Sequence, residues 1–308
     1  KGSPVVHPYV DSAASATAMT TGVKTYNGSI NVGPDGKQLE TIAHQLQKQG
    51  WAIGVVTNVP ISHATPAAAY AHNVYRYDYQ AMSRAMLGLP SVAPTRAPLP
   101  GVELLLSAGW GEELANDAVQ GRNYVPGNRY LPEDDIRQAD AAHGGKYQVV
   151  QRTAGVPGAA ALETAAKEAT AKGRRLFGYF GLPSGHLPFR TADGGYNPAA
   201  GKAKAEQYSP ADLTENPTLA DMTRVALNFL SHDPQGFWLM VEAGDVDWAN
   251  HDTNLDNSIG AVLGGDEAFR AITDWIEAHN AWKDTAVIVT ADHGHYLVLE
   301  KPEALIGP

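Results

Sequence analysis

The chain has 308 residues, 44% of them apolar and 18% charged, enough to bury a sizeable core as one large domain or two modest ones. Its 33 acidic against 23 basic residues, a formal net charge of −10, argue against nonspecific nucleic-acid binding. Cysteine is absent, which excludes a disulfide framework and thiolate metal sites and leaves histidine and carboxylate as ligands, a set suited to zinc or magnesium. No apolar run reaches the roughly 18 residues of a membrane span. No secretory signal is visible, but Lys1-Gly2-Ser3-Pro4 does not read as a natural start.

Residues 1–11 read as extended or loop chain running into Asp11-Ser12-Ala13-Ala14-Ser15-Ala16-Thr17-Ala18. There Asp11 is a natural helix cap, and the small side chains let a helix begin abruptly and approach a ligand closely. Such a helix start aims unpaired N–H groups and a partial positive charge at whatever Ser12 touches, which favours an anion such as phosphate. Gly22 supplies the stop. After a turn-rich stretch at 27–37, apolar residues at helical spacing predict a helix from Leu39 to Gly50, then Trp51–Val59 reads as a buried strand. The polar turn Ser62-His63-Ala64-Thr65-Pro66 follows, and an Ala-rich helix is expected to run from there to about Gly88, carrying Arg76.

Residues 89–101 are irregular, 102–107 read as a strand, and 110–158 as loops around short elements. A helix at 159–172, a strand at 175–181, a loop at 183–210 and an amphipathic helix at 217–231 come next. Gly236–Glu242 is a continuous apolar run ending in a carboxylate. A helix is expected over 254–281, with a break near Gly264-Gly265, and Thr285–Thr290 (TAVIVT) reads as a further buried strand. Helices alternating with wholly apolar strands predict an α/β fold: a three-layer sandwich around a central, mostly parallel sheet. The chain is expected to form a single domain over 1–308, with loop insertions near 89–158 and 183–215.

Three polar clusters directly follow three of these strands, the edge at which open α/β sheets bind ligands. In the first, Asp247 and His251 stand four residues apart and so share a helix face, with Glu242 at the strand end nearby. In the second, Asp292 and His293 offer one oxygen and one nitrogen after TAVIVT, with His295 placed to steady a carboxylate or ring. In the third, Thr65 offers a neutral oxygen acceptable to a hard cation, and Arg76 could grip a phosphate bidentately. Taken singly, each has a bland counterpart as surface pair, cap or solvated side chain. Their common placement is the signal.

The segment VDSAASATAMTTGVKTYNG around Ser12 resembles the nucleophile segment of the alkaline phosphatases, and HATPAAAYAHNVYR, VEAGDVDWANH and TADHGH follow in that family's order. The resemblance implies hydrolysis of small phosphate monoesters through a phosphoserine at Ser12, with Asp11 orienting the phosphate-binding Arg76. It implies two zinc ions, the first on Asp247 and His251 and the second on Asp292 and His293, and a magnesium on Glu242 and Thr65. His295 would support Asp247 from behind. It further implies a periplasmic or extracellular homodimer. Related readings are a phosphodiesterase or another hydrolase of the superfamily, and an inactive metal- or phosphate-binding fragment.

Departures from the family pattern are equally specific. Members are considerably longer, with an aspartate-ending strand before the nucleophile and a further zinc-binding histidine after the Asp-His motif. Eleven residues precede Ser12 here and thirteen follow His295, so the chain reads as an alkaline phosphatase cut at both ends, completed in nature by more of the same chain or by another. His63 and Trp248 stand where the best-known bacterial member has Asp and Lys. Histidine at 63 could move the third site from magnesium towards zinc or cobalt. Tryptophan at 248 removes a positive charge beside the phosphate.

Overall fold

The computed structural model describes residues 9–90 and 98–295. The expected lead-in at 1–8 and the irregular stretch at 91–97 therefore lie outside the described residues. In chain order the elements are α1 (Ser12–Thr21), α2 (Ile42–Lys48), β1 (Ala52–Pro60), α3 (Ala64–Ala68), α4 (Tyr79–Leu87) and β2 (Leu104–Ala108). A short hairpin of β3 (Glu113–Leu114) and β4 (Gly127–Asn128) leads to α5 (Glu133–Ala139), β5 (Tyr147–Gln151), α6 (Gly158–Ala171) and β6 (Arg175–Tyr179). Then come α7 (Pro210–Thr214), α8 (Leu219–Leu230), β7 (Phe237–Glu242), α9 (Asp245–His251) and α10 (Leu255–Ala278).

Five strands form one parallel sheet in the order β5-β6-β2-β1-β7. Successive side chains of a strand point to opposite faces, and here both faces are apolar. From β1, Ile53 and Val55 enter one core layer with Ala13 and Ala16 of α1, Ala67 of α3 and Met82 of α4. Ala52 and Val56 enter the other with Leu162 of α6, Met222 and Ala226 of α8, and Ala268 of α10. The result is the expected three-layer sandwich. Gly54 of β1 is where α8 comes closest: a Cβ there would meet Leu230 Cδ1 at 2.5 Å.

Three expectations need correction. The helix after Thr65 does not run to Gly88: α3 ends at Ala68, the chain bends through 74–77, and α4 begins at Tyr79. The alanine run ends at Ala71, and all of the next seven residues but Arg76 (His72, Asn73, Val74, Tyr75, Tyr77, Asp78) are weak helix formers. The backbone pairs elsewhere: Asn73 bridges to Ile30, and the Arg76 N–H donates to the Gly28 carbonyl at 2.8 Å. Arg76 thus sits on a turn, not three turns into a helix.

Thr285–Thr290 does not form a buried strand. It joins no ladder among the described residues, and Ile288 and Val289 are 86% and 76% exposed. An apolar run becomes a strand only where a neighbour completes its hydrogen bonds, and among the described residues β7 pairs with β1 alone. β7 is accordingly half-buried along its whole length.

β5, one of the short elements expected among the loops of 110–158, extends the sheet. The third correction is that α10 runs unbroken past Gly264-Gly265. Its glycines mark close approaches: a Cβ at Gly260 would lie 2.1 Å from the Arg190 carbonyl oxygen, and one at Gly265 3.1 Å from Ala243 Cβ.

Leu104 is fully buried on β2, paired in register with Gly54 and Leu176. Truncation by Leu104→Ala is expected to cost about 2–5 kcal/mol, read as a lower urea midpoint at unchanged slope.

Candidate active site

The site forms where the loops leave the carboxyl ends of β1 and β7, and it begins at α1. Asp11 caps that helix, its Oδ1 accepting the Ala14 N–H at 2.9 Å. Oδ2 accepts the Gly28 N–H at 2.9 Å and Nη1 of Arg76 at 3.0 Å. One carboxylate therefore fixes the helix start, the 27–28 turn and the guanidinium together. Ser12, first residue of the helix, is buried, and its Oγ lies 3.0 Å from Nε2 of His293. The 291–295 segment is also tied to α1 by the Ser15 hydroxyl, which donates to the Asp292 carbonyl at 2.6 Å.

α9 sets Asp247 and His251 on one face, as their spacing predicts. Three imidazoles surround Oδ1 of Asp247: Nε2 of His295 at 2.9 Å, of His251 at 3.4 Å and of His293 at 3.5 Å. Donor atoms of Asp247, His251 and His295 lie within 4.8 Å of one another. Despite these neighbours, no hydrogen bond is aimed at Oδ1 of Asp247 or at Oδ2 of Asp292, although both atoms are buried. Buried carboxylate oxygens without donors are costly unless a cation takes the place of the missing protons.

Glu242 ends β7 in register with Thr57 of β1, whose hydroxyl donates to its Oε2 at 2.5 Å. Desolvation, and then the nearby Asp292 and Asp247 charges, push the Glu242 carboxyl up to about 7 against the opposing hydrogen bonds from Thr57 and Thr65. His63 stacks parallel on Tyr79 at 5.5 Å, with Trp248 at 4.9 Å and Tyr130 edge-on at 5.9 Å. Burial in this aromatic box, with the positive charges of Arg76 and Arg129, pulls its imidazole down to about 3 and keeps it neutral.

Ser12, Asp11, Arg76, His63, Asp247, Trp248, His251, His293 and His295 line one cleft of about 690 Å³. Thr65, Glu242 and Asp292 stand behind that lining and act on one another through Glu242. His295, expected to support Asp247, has its Nε2 2.9 Å from Oδ1 of that residue, in one group with His251. Sequence reading passed over Thr57, Gly28 and Asn27, whose side-chain oxygen accepts the Asp11 N–H at 3.2 Å. Thr57 was detectable as a polar residue inside an apolar strand; the other two sit in a turn-rich stretch and carry no comparable signal.

A parallel α/β sheet with a serine at a helix start, an arginine clamped to the helix cap and a nest of carboxylates and histidines at the sheet edge defines a narrow class of proteins. The family model "Alkaline phosphatase" matches residues 5–94 and 196–303, and the chain belongs to that family. It is 29% identical to alkaline phosphatase 4 of Bacillus subtilis over 92% of this chain and 49% of that protein. It is 31% identical to alkaline phosphatase H of Pseudomonas aeruginosa over 95% of this chain and 59% of that protein. The fold matches the crystal structure of a cold-active alkaline phosphatase from Shewanella with a TM-score of 0.62 and 26% identity, covering 90% of this chain and 53% of that one. The chain thus spans about half to three-fifths of the length of these relatives.

A carboxyl raised in the folded state favours folding while protonated, so this contribution is complete below about 4.5 and is lost as pH rises through about 7. In metal-stripped protein, Glu242→Gln is expected to match the wild type near pH 5 and to exceed its stability by about 2 kcal/mol at pH 8, measured by urea unfolding at both pH values.

Proposed function

We propose that this chain carries the catalytic site of a metal-dependent phosphatase that hydrolyses small phosphate monoesters through a phosphoserine at Ser12. The observation that supports this best is the clamp of Arg76 by Asp11 at 3.0 Å, beside a buried serine at a helix start. The free N–H groups at the start of α1 and the guanidinium together offer donors to the non-bridging oxygens of a terminal phosphoryl group. Held there, phosphorus faces Ser12 Oγ for in-line attack: the Ser–O–P bond forms, the ester P–O bond breaks and the alcohol leaves. Water then displaces the serine oxygen and releases inorganic phosphate.

The donor set fits metal ions, because the orphaned oxygens of Asp247 and Asp292 are buried among imidazole nitrogens. Asp247 and His251, with His295 supporting Asp247, would hold a first zinc, Asp292 and His293 a second next to Ser12, and Glu242 with Thr65 a third ion. Bound there, such ions supply Lewis acidity, favouring the serine alkoxide and stabilising charge on the leaving oxygen. At the third position, the neutral His63 adds a nitrogen donor two residues from Thr65, which favours zinc or cobalt over magnesium. By kinship with exported phosphatases, the protein is assigned to the periplasm or the extracellular space, as a homodimer of a single-domain subunit.

Metal-stripped chain resupplied with zinc and magnesium is expected to hydrolyse an aryl phosphate at alkaline pH. Ser12→Ala should lower that rate by at least about 10³-fold, and mass spectrometry after acid quench should find phosphate on Ser12 in the wild type. Restored turnover that survives Ser12→Ala would refute the phosphoserine reading. In a separate titration, cobalt should activate at least as well as magnesium in the wild type, and His63→Asp should turn the preference towards magnesium. A wild type that prefers magnesium would refute the assignment of the third site.

A further inference from the structure

Resting on the phosphatase reading, we propose that Tyr77, backed by Tyr75, forms a leaving-group subsite that selects phosphate monoesters of planar aromatic or heteroaromatic alcohols. Tyr77 follows the phosphate-gripping Arg76 in the same turn and lines the same cleft as Ser12. Its ring is 40% exposed, and Tyr75, edge-on to it at 5.3 Å, is 45% exposed. Exposed aromatic area at a cleft mouth leaves apolar surface in water, and it is recovered only when a ligand covers it.

The ring is also held in place. Tyr79, which is buried, also meets it edge-on at 6.1 Å and 86°. Tyr79 in turn stacks on His63, so the row is anchored to the floor of the site. The Arg76 guanidinium carbon stands 5.5 Å from the Tyr77 ring centroid, a cation–π contact that fixes the ring relative to the phosphate grip. A tyrosine so braced offers wide contact area with little rotamer entropy left to lose. A phosphoryl group held by Arg76 and the start of α1 leaves its alcohol portion beside this ring. An aromatic alcohol can stack on it, whereas a short alkyl alcohol covers little of it.

The test uses non-hydrolysable ligands with the zinc- and magnesium-loaded chain: inorganic phosphate, methylphosphonate and phenylphosphonate, each titrated calorimetrically. The wild type should bind phenylphosphonate about fivefold more tightly than methylphosphonate. Tyr77→Leu should bring that ratio close to one, and Tyr77→Phe should retain it. Equal affinity for the two phosphonates, with phosphate still bound, overturns the subsite and leaves the phosphatase reading standing. A Tyr77→Leu variant that loses affinity for all three ligands equally also overturns it, because the ring would then act only through Arg76. Failure of all three to bind wild-type protein overturns the phosphatase reading and the subsite with it.

Discussion

Asp11 is bonded at both carboxylate oxygens, and each bond serves a different part of the molecule. Through Oδ1 it caps α1 and fixes where Ser12 stands; through Oδ2 it holds the turn at Gly28 and the guanidinium of Arg76. Ser12 and Arg76 come from segments 64 residues apart, and this carboxylate sets the distance between them. The Arg76 backbone repeats the tie by donating to the Gly28 carbonyl. Small residues make the arrangement possible: Ala13 and Ala16 of α1 pack with Ala64 and Ala67 of α3 in one core layer, where bulkier side chains would push the two helices apart.

The other half of the site is built on an opposite principle. Asp247, Asp292 and Glu242 share a small volume, and the hydroxyls of Thr57 and Thr65 satisfy only the last of them. Gathering carboxylates costs free energy through desolvation and mutual repulsion, and the raised Glu242 carboxyl registers that cost. The aromatic box around His63 adds no charge to this, since an imidazole held neutral is a lone-pair donor rather than a cation.

Much of this could be read from residue order. The small-residue helix after Asp11, the buried β1 and the amphipathic α8 announced themselves by pattern, and the i, i+4 spacing placed Asp247 with His251 correctly. What escaped depended on partners distant in sequence. Arg76 was expected on a helix because alanines run up to it, yet its conformation is decided by Ile30 and Gly28, more than 40 residues earlier. TAVIVT has every local mark of a strand, but strand formation is a property of two segments, and no described segment pairs with it. Glu242 was found as a strand-terminal acid; Thr57 stood out as a polar residue in an apolar strand, but that the two are partners follows only from the register of β7 against β1.

That register has a consequence for how firmly the two halves are held. Ser12 stands on α1, which packs on the layer over the fully buried β1, and Arg76 is tied to it through Asp11, whereas Glu242 and α9 follow from β7, a half-buried strand paired on one side only among the described residues. Amide protons on β7 accordingly exchange with solvent through small local openings, while those of β1 wait for unfolding of the whole sheet. The part of the site that carries Ser12 and Arg76 is thus the firmer one, and the edge that carries the carboxylates the more compliant.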